Sequence, residues 1–137
     1  MGSTTRNELV YVKETPGKGC GLFAKETIPA GKIIGMFDGI AKQISVSNAL
    51  NENREYWVEV CIVDGILFYF DMLDDKTEGV EYINHACKPN CQIDKFMLIS
   101  TKDYIAADEE LTLDYLEITR IPLGIKCMCQ PDCKTIF

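Results

Sequence analysis

The sequence has little positive charge. Its lysines and arginines number 14 against 21 aspartates and glutamates, so the formal net charge is −7. An acidic surface repels phosphate backbones, which argues against direct binding of DNA or RNA. The same charge attracts basic peptides and speeds their encounter with the protein. We therefore expect a basic protein or peptide partner and no direct nucleic-acid binding.

The chain also lacks a long apolar run. No stretch approaches the roughly 20 apolar residues that span a bilayer, and the start MGSTTRNELV has no apolar signal-peptide core. We therefore expect no membrane association and an intracellular location: the nucleus in a eukaryote, otherwise the cytoplasm or a host cell. In a reducing compartment the seven cysteines are better suited to metal binding than to disulfides.

Short apolar stretches separated by turn residues run through the chain, and no rhythm of strand, long helix and strand appears. Strands are predicted at 8–14, 33–37, 40–44, 56–63, 66–70 and 95–100, and a glycine-rich turn at 15–24. Asp38-Gly39 and Asp64-Gly65 each lie between apolar runs, which predicts two hairpins. The polar residues 45–55 predict one or two helical turns. The 137 residues thus predict one mainly β domain with little helix.

A cysteine cluster ends the chain. Cys127, Cys129 and Cys133 form the pattern C-x-C-x3-C, and closely spaced thiolates are typical ligands of tetrahedral zinc. Three ligands do not close a structural site, so the fourth must come from elsewhere. Cys87 and Cys91 are both candidates for it.

The single histidine lies in the stretch NHACKPN. His85 and Cys87 are two residues apart, so on an extended segment their side chains would share one face, as in a catalytic pair. A nucleophilic thiol also needs an orienting group and an oxyanion hole, and the sequence marks neither. On these residues alone, a histidine bonded to buried backbone is the better interpretation.

Taken together and in order, four segments resemble the SET-domain protein lysine methyltransferases. GKGCGLFAKETIPAGKII resembles the opening motif of that family, YINHACKPN its asparagine–histidine motif, and DEELTLDY its tyrosine motif. The cysteine tail resembles the post-SET segment. The resemblance spans about residues 8–133 and implies a SET catalytic domain at 8–120 and a post-SET zinc segment at 121–137. Residues 1–7 are then an N-terminal tail and a candidate expression tag.

The resemblance implies a fold of several small β-sheets with a threaded pseudoknot and a C-terminal zinc-bound cap. It implies methyl transfer from S-adenosylmethionine to a lysine in a protein, such as a histone tail, with Tyr115 as the catalytic residue. The implied cofactor-binding residues are Lys18, Gly19, Cys20, Asn84, His85, Tyr115 and Met128. The implied lysine channel contains Phe37, Tyr82 and Leu113. The implied zinc ligands are Cys87, Cys127, Cys129 and Cys133.

The sequence also departs from the family pattern. Phe37 stands where the family often has a tyrosine, Cys20 replaces a common aromatic residue, and Leu113 replaces a phenylalanine or tyrosine. These changes favour an alternative function, a SET-fold binding module with weak or no catalysis. A domain of this size is also a candidate for homodimerisation.

Overall fold

The computed structural model describes residues 2–17, 19–72, 79–122 and 124. Over these ranges the protein is mainly β with little helix, as predicted, and none of its helices is long and apolar enough to cross a membrane. The strands are β1 (Gly2–Thr5), β2 (Val10–Thr15), β3 (Gly19–Ala24), β4 (Ile33–Asp38), β5 (Ile40–Ser45), β6 (Trp57–Val63), β7 (Ile66–Asp71), β8 (Asn84–His85), β9 (Cys91–Ile93), β10 (Leu98–Thr101) and β11 (Glu110–Leu113). The helices are α1 (Val46–Ala49) and two 3-10 helices at Val80–Tyr82 and Tyr115–Glu117.

The described strands form three small sheets. Their orders are β1-β4-β10-β9, β2-β3-β11-β8 and β5-β7-β6. The first two sheets enclose the main apolar core, and the third packs against α1 in a second cluster with Ala49, Leu67 and Tyr69. Three small sheets around a main core and a second cluster confirm the predicted fold class, while the predicted zinc-bound cap lies outside the described residues.

One of the two predicted hairpins is confirmed. Asp64 and Gly65 join β6 to β7, with Val63 paired to Ile66. Their φ angles are 53° and 75°, and two consecutive positive φ values are what a tight turn between twisted strands requires. The predicted helical turn is confirmed too, since α1 begins after Ser45, whose side chain accepts a hydrogen bond from the backbone N–H of Asn48.

The prediction of a hairpin at Asp38-Gly39 is wrong. β4 lies in the first sheet and β5 in the third, so the chain crosses between sheets at this point. A Cβ at Gly39 would lie 2.5 Å from the carbonyl oxygen of Asp71. Glycine is therefore needed here for close backbone approach. Burial of the β4 side chains in the main core, with pairing of β4 to β1 and β10, prevails over the local turn signal.

The structure differs in detail from two predictions for the N-terminal part of the chain, the tail at 1–7 and the glycine-rich turn at 15–24. Residues 2–5, assigned to a tail, form β1 and pair with β4. Within the expected turn at 15–24, residues 19–24 form β3, because Leu22 and Ala24 are fully buried between neighbouring strands. The turn itself is the short link between β2 and β3, where Thr15 pairs with Gly19.

Asn90 holds the segment after β8 beside β11. Its Oδ1 accepts the backbone N–H of Thr112 at 2.8 Å, and its Nδ2 donates to the carbonyl oxygen of Glu110 at 2.9 Å. Its backbone N–H donates to Thr112 Oγ1 at 3.2 Å. An asparagine side chain carries the same donor and acceptor as a peptide group, so Asn90 continues the ladder of β11 where backbone pairing stops.

We expect Asn90→Ala to lower the free energy of unfolding by about 1–3 kcal/mol, because half-buried backbone groups of β11 lose their partners. Urea unfolding measures this change. Asn51→Ala, at an exposed position, is the control and should change it by less than about 0.5 kcal/mol. Equal effects of the two substitutions would contradict the role of Asn90.

Candidate functional site

Tyr115 lies at the point where β11 ends and a short 3-10 helix begins. Asp114 starts this helix by accepting the backbone N–H of Leu116 at 3.0 Å. The Tyr115 hydroxyl donates to the carbonyl oxygen of Ile83 at 2.5 Å. Burial raises the pKa of Tyr115 to about 12, helped by the nearby carboxylate of Glu110. Its hydroxyl therefore keeps its proton at neutral pH.

His85 supports Tyr115 from the neighbouring strand. Its Nδ1 accepts the backbone N–H of Tyr115 at 2.9 Å, and the two rings are 5.4 Å apart. Burial lowers the pKa of His85, although the Asp114 carboxylate 3.7 Å away opposes this. A neutral ring that accepts at Nδ1 carries its proton on Nε2, and Nε2 lies 3.6 Å from the sulfur of Cys87. The histidine therefore orients Tyr115 on one side and faces the thiol on the other.

Asn84 connects β3 to β11. Its Nδ2 donates to the carbonyl oxygen of Cys20 at 3.1 Å and to Glu110 Oε2 at 2.9 Å. A Cβ at Gly21 would lie 2.7 Å from Glu110 Oε2 and 3.0 Å from Asn84 Nδ2. Gly21 in β3 thus makes room for this side-chain pair. Gly19, at the start of β3, has φ +71° and faces open space.

A cavity of about 560 Å³ opens beside Tyr115. Its wall is mainly apolar and also includes several acidic side chains. The lining residues are Phe37, Glu52, Asn53, Arg54, Glu55, Trp57, Glu59, Met72, Glu81, Ile83, Tyr115, Ile118 and Thr119. This cavity is large enough for an extended side chain, and Tyr115 forms part of its wall.

Most of the predicted site residues fall into three groups. The structure brings together Asn84, His85 and Tyr115, and it places Phe37 in the cavity wall. Tyr82 and Leu113, predicted for the channel, are not among the lining residues; Leu113 is fully buried in the core. The predicted residues outside the described part of the chain are Lys18, Cys127, Met128, Cys129 and Cys133.

Sequence reasoning missed Arg54 and Glu59 in the cavity wall. They form an ion pair of 3.2 Å with side chains 8% and 3% exposed. Opposite charges five positions apart are common on protein surfaces. Nothing in the local pattern shows that these two are buried.

The two candidates for a fourth zinc ligand differ in environment. Cys91 is fully buried, its thiol donates to Asn90 Oδ1 at 3.5 Å, and burial raises the pKa of Cys91 to about 12. Metal binding needs the thiolate, so Cys91 is a poor ligand. Cys87 is half-buried and faces His85. No three His, Cys, Asp or Glu side chains converge on a metal position within the described ranges.

Comparison with known proteins identifies related sequences. The sequence profile of the SET domain matches residues 19–116, which includes β3, β8, β11 and Tyr115. Human histone-lysine N-methyltransferase 2B is 31% identical over 123 residues, covering 81% of this chain and 4% of that protein. Human histone-lysine N-methyltransferase SETD1A is 33% identical over 124 residues, covering 80% of this chain and 7% of that protein.

A fungal protein is related to this chain at a similar level of identity. The H3 lysine-36 specific histone-lysine N-methyltransferase of Cryptococcus neoformans is 29% identical over 122 residues, covering 77% of this chain and 14% of that protein. The chain therefore spans only a small part of the length of these relatives.

We expect Gly21→Ala to lower the free energy of unfolding by about 0.5–1.5 kcal/mol, because its Cβ would push the Glu110 carboxylate away from Asn84 and break their hydrogen bond. Chemical denaturation measures this. In a Glu110→Ala background the same substitution should cost less, since the nearest colliding atom is gone. An unchanged cost in that background would rule out the steric explanation.

Proposed function

This chain belongs to the SET-domain family, and on that premise we propose that it transfers methyl from S-adenosylmethionine to the side-chain amine of a lysine in a basic protein segment such as a histone tail. The relatives carry the name histone-lysine N-methyltransferase. The observation that carries the proposal is the buried Tyr115 hydroxyl, directed at the Ile83 carbonyl beside an apolar cavity.

The residues around the glycine turn fit the methyl donor. Gly19 is open to close approach, and Asn84 fixes the Cys20 carbonyl beside it. Gly19, Cys20, Asn84, His85 and Tyr115 would hold the donor, with Lys18 and Met128 of the undescribed segments. When bound, S-adenosylmethionine supplies a methyl group already activated by its sulfonium, so no covalent enzyme intermediate is needed.

Tyr115 would orient the substrate amine. A phenolic oxygen is both donor and acceptor. Because the Tyr115 O–H donates to the Ile83 carbonyl, the same oxygen can accept a hydrogen bond from the N–H of a lysine. Because its pKa is about 12, Tyr115 acts as an orienting group and does not need to take the proton. Alignment of this kind is worth up to about 7–11 kcal/mol.

The cavity would favour a neutral lysine. Deprotonating a free lysine at pH 7 costs about 4–5 kcal/mol, from its pKa of about 10.4. The apolar wall, including Phe37, Met72 and Ile118, destabilises the ammonium and lowers this cost. The carboxylates of Glu52 and Glu55 on the same cavity would attract a basic segment to its entrance.

A second candidate function is peptide binding without efficient transfer. Phe37 lines the cavity, and its ring has no hydroxyl to hold a water or the amine. Binding of a lysine peptide with no methyl transfer from S-adenosylmethionine would favour this candidate over the enzyme.

We further propose that residues 8–120 form the catalytic domain and 121–137 a zinc segment. Cys87 would join Cys127, Cys129 and Cys133 around one Zn²⁺. The donor set fits, since four thiolates complete a tetrahedral structural site. The Nε2–H of neutral His85 faces the Cys87 sulfur, where it favours the thiolate.

Tyr115→Phe should lower kcat by roughly 10²–10³-fold, the cost of losing one well-placed polar group at a reaction centre. Transfer of labelled methyl from S-adenosylmethionine to core histones measures this. Tyr104→Phe, at a 64% exposed tyrosine, is the matched control and should retain full activity. Undiminished transfer by Tyr115→Phe would remove the assigned role.

The pH dependence should come from the substrate lysine. Because the pKa of Tyr115 is about 12, this group stays protonated between pH 7 and 9, while the neutral fraction of a free lysine rises about tenfold per unit. We expect kcat/KM to rise over this range with the same slope in wild type and Tyr115→Phe. An inflection that disappears in the variant would show that Tyr115 titrates in this range.

Elemental analysis should find about one zinc per chain. Cys87→Ser should lose the metal, because it removes a ligand. Cys91→Ser should keep it, because Cys91 is a core residue with a thiol pKa of about 12. Metal loss from Cys91→Ser alone would reverse the ligand assignment.

A further inference from the structure

A buried ion pair lies in the wall of the cavity that contains Tyr115. Arg54 Nη1 is 3.2 Å from Glu59 Oε2, and the two side chains are 8% and 3% exposed. Removing two charges from water is costly unless further hydrogen bonds compensate. The further hydrogen bonds of Arg54 and Glu59 show which part of the chain the pair holds in place.

The ion pair bonds to the backbone that follows Tyr115 in the chain. Glu59 accepts from its N–H groups, and Arg54 donates to its carbonyl oxygens. Glu59 Oε1 accepts the backbone N–H of Arg120 at 2.6 Å and of Ile121 at 2.8 Å. Arg54 donates to the carbonyl oxygen of Ile121 at 2.9 Å and of Pro122 at 3.4 Å. Two side chains thus hold three consecutive residues.

Three further hydrogen bonds support this arrangement, and two of them join the same two parts of the chain. The N–H of Glu59 donates to the carbonyl oxygen of Ile118 at 2.9 Å. Arg120 Nε donates to the carbonyl oxygen of Val60 at 2.9 Å, and its Nη1 donates to that of Leu116 at 2.9 Å. Strand β6 and the segment after Tyr115 are therefore fastened together along one side of the cavity.

We propose that Arg54 and Glu59 are positioning residues of the methyl-transfer site, which set the distance between β6 and residues 118–122 and so the width of the cavity that admits the lysine. The inference rests on the proposed function. The pairing has a second consequence: a Glu59 carboxylate without Arg54 would attract the lysine ammonium, which is the form that cannot accept a methyl group. With its charge balanced, the pair shapes the cavity without favouring that form.

Glu59→Ala removes the acceptor for two backbone N–H groups, and hydrogen exchange at Arg120 and Ile121 should accelerate. Affinity for a synthetic basic peptide with one lysine and no tryptophan should fall at least about tenfold, because small displacements at a binding wall have large effects. Trp57, the single tryptophan, lines the cavity, so its fluorescence reports peptide binding.

Conservative variants separate positioning from general stability. Glu59→Gln keeps a carbonyl acceptor, so it should restore slow exchange at Arg120 and Ile121 and recover part of the affinity. Arg54→Lys keeps the charge but not the paired donors, so it should weaken peptide binding. This variant tests the proposal independently if Glu59→Ala does not fold. Glu8→Ala is the control, because it breaks the exposed Arg6–Glu8 pair, whose side chains are 45% and 59% exposed. It should leave both hydrogen exchange at Arg120 and Ile121 and peptide affinity unchanged.

Kinetics distinguish these variants from loss of the reaction centre. Glu59→Gln and Arg54→Lys should raise KM more than they lower kcat, whereas Tyr115→Phe lowers kcat. Wild-type protein that neither binds the peptide nor transfers methyl would defeat the proposed function itself. Wild-type affinity in Arg54→Lys, and in Glu59→Ala where it folds, would overturn the positioning role while leaving that function intact.

Discussion

The parallel contact between β8 and β11 is the constraint on which the candidate site depends. Thr112 pairs with Asn84 and Leu113 with His85. Parallel neighbours cannot be joined by a tight turn, so the chain between them passes through β9 and β10 in another sheet before it returns. This register brings the ring of His85 under the backbone of Tyr115. Without it, the asparagine–histidine motif and the tyrosine motif would not meet.

Burial then determines the charge state of the groups that meet there. It raises the pKa of Tyr115 and lowers that of His85, so both are neutral at physiological pH. The buried charges of Arg54 and Glu59 cancel in the wall. In the proposed function, the carboxylates of Glu52 and Glu55 would attract a basic segment, and the apolar part of the cavity wall would favour its neutral amine.

Much of the architecture followed from local patterns. The Asp64-Gly65 hairpin and the helix start at Ser45 depend on residues within one turn, and both predictions are confirmed. Asp38-Gly39 carries the same turn signal, but the hairpin predicted there is absent. Gly39 lies where the chain crosses from one sheet to another, and the backbone of Asp71 lies too near to leave room for a side chain. Turn chemistry shows where a chain can reverse, whereas long-range burial decides whether it does.

The amino-acid sequence by itself determined the net charge, the β character and the motif residues Asn84, His85 and Tyr115, because these depend on composition and on order along the chain. Only the tertiary structure showed that Cys91 is buried in the core while Cys87 faces His85, and that Arg54 pairs with Glu59 inside a cavity wall. Protonation, thiol reactivity and ion pairing depend on burial and on partners distant in sequence. Those quantities exist only once the strands have come together.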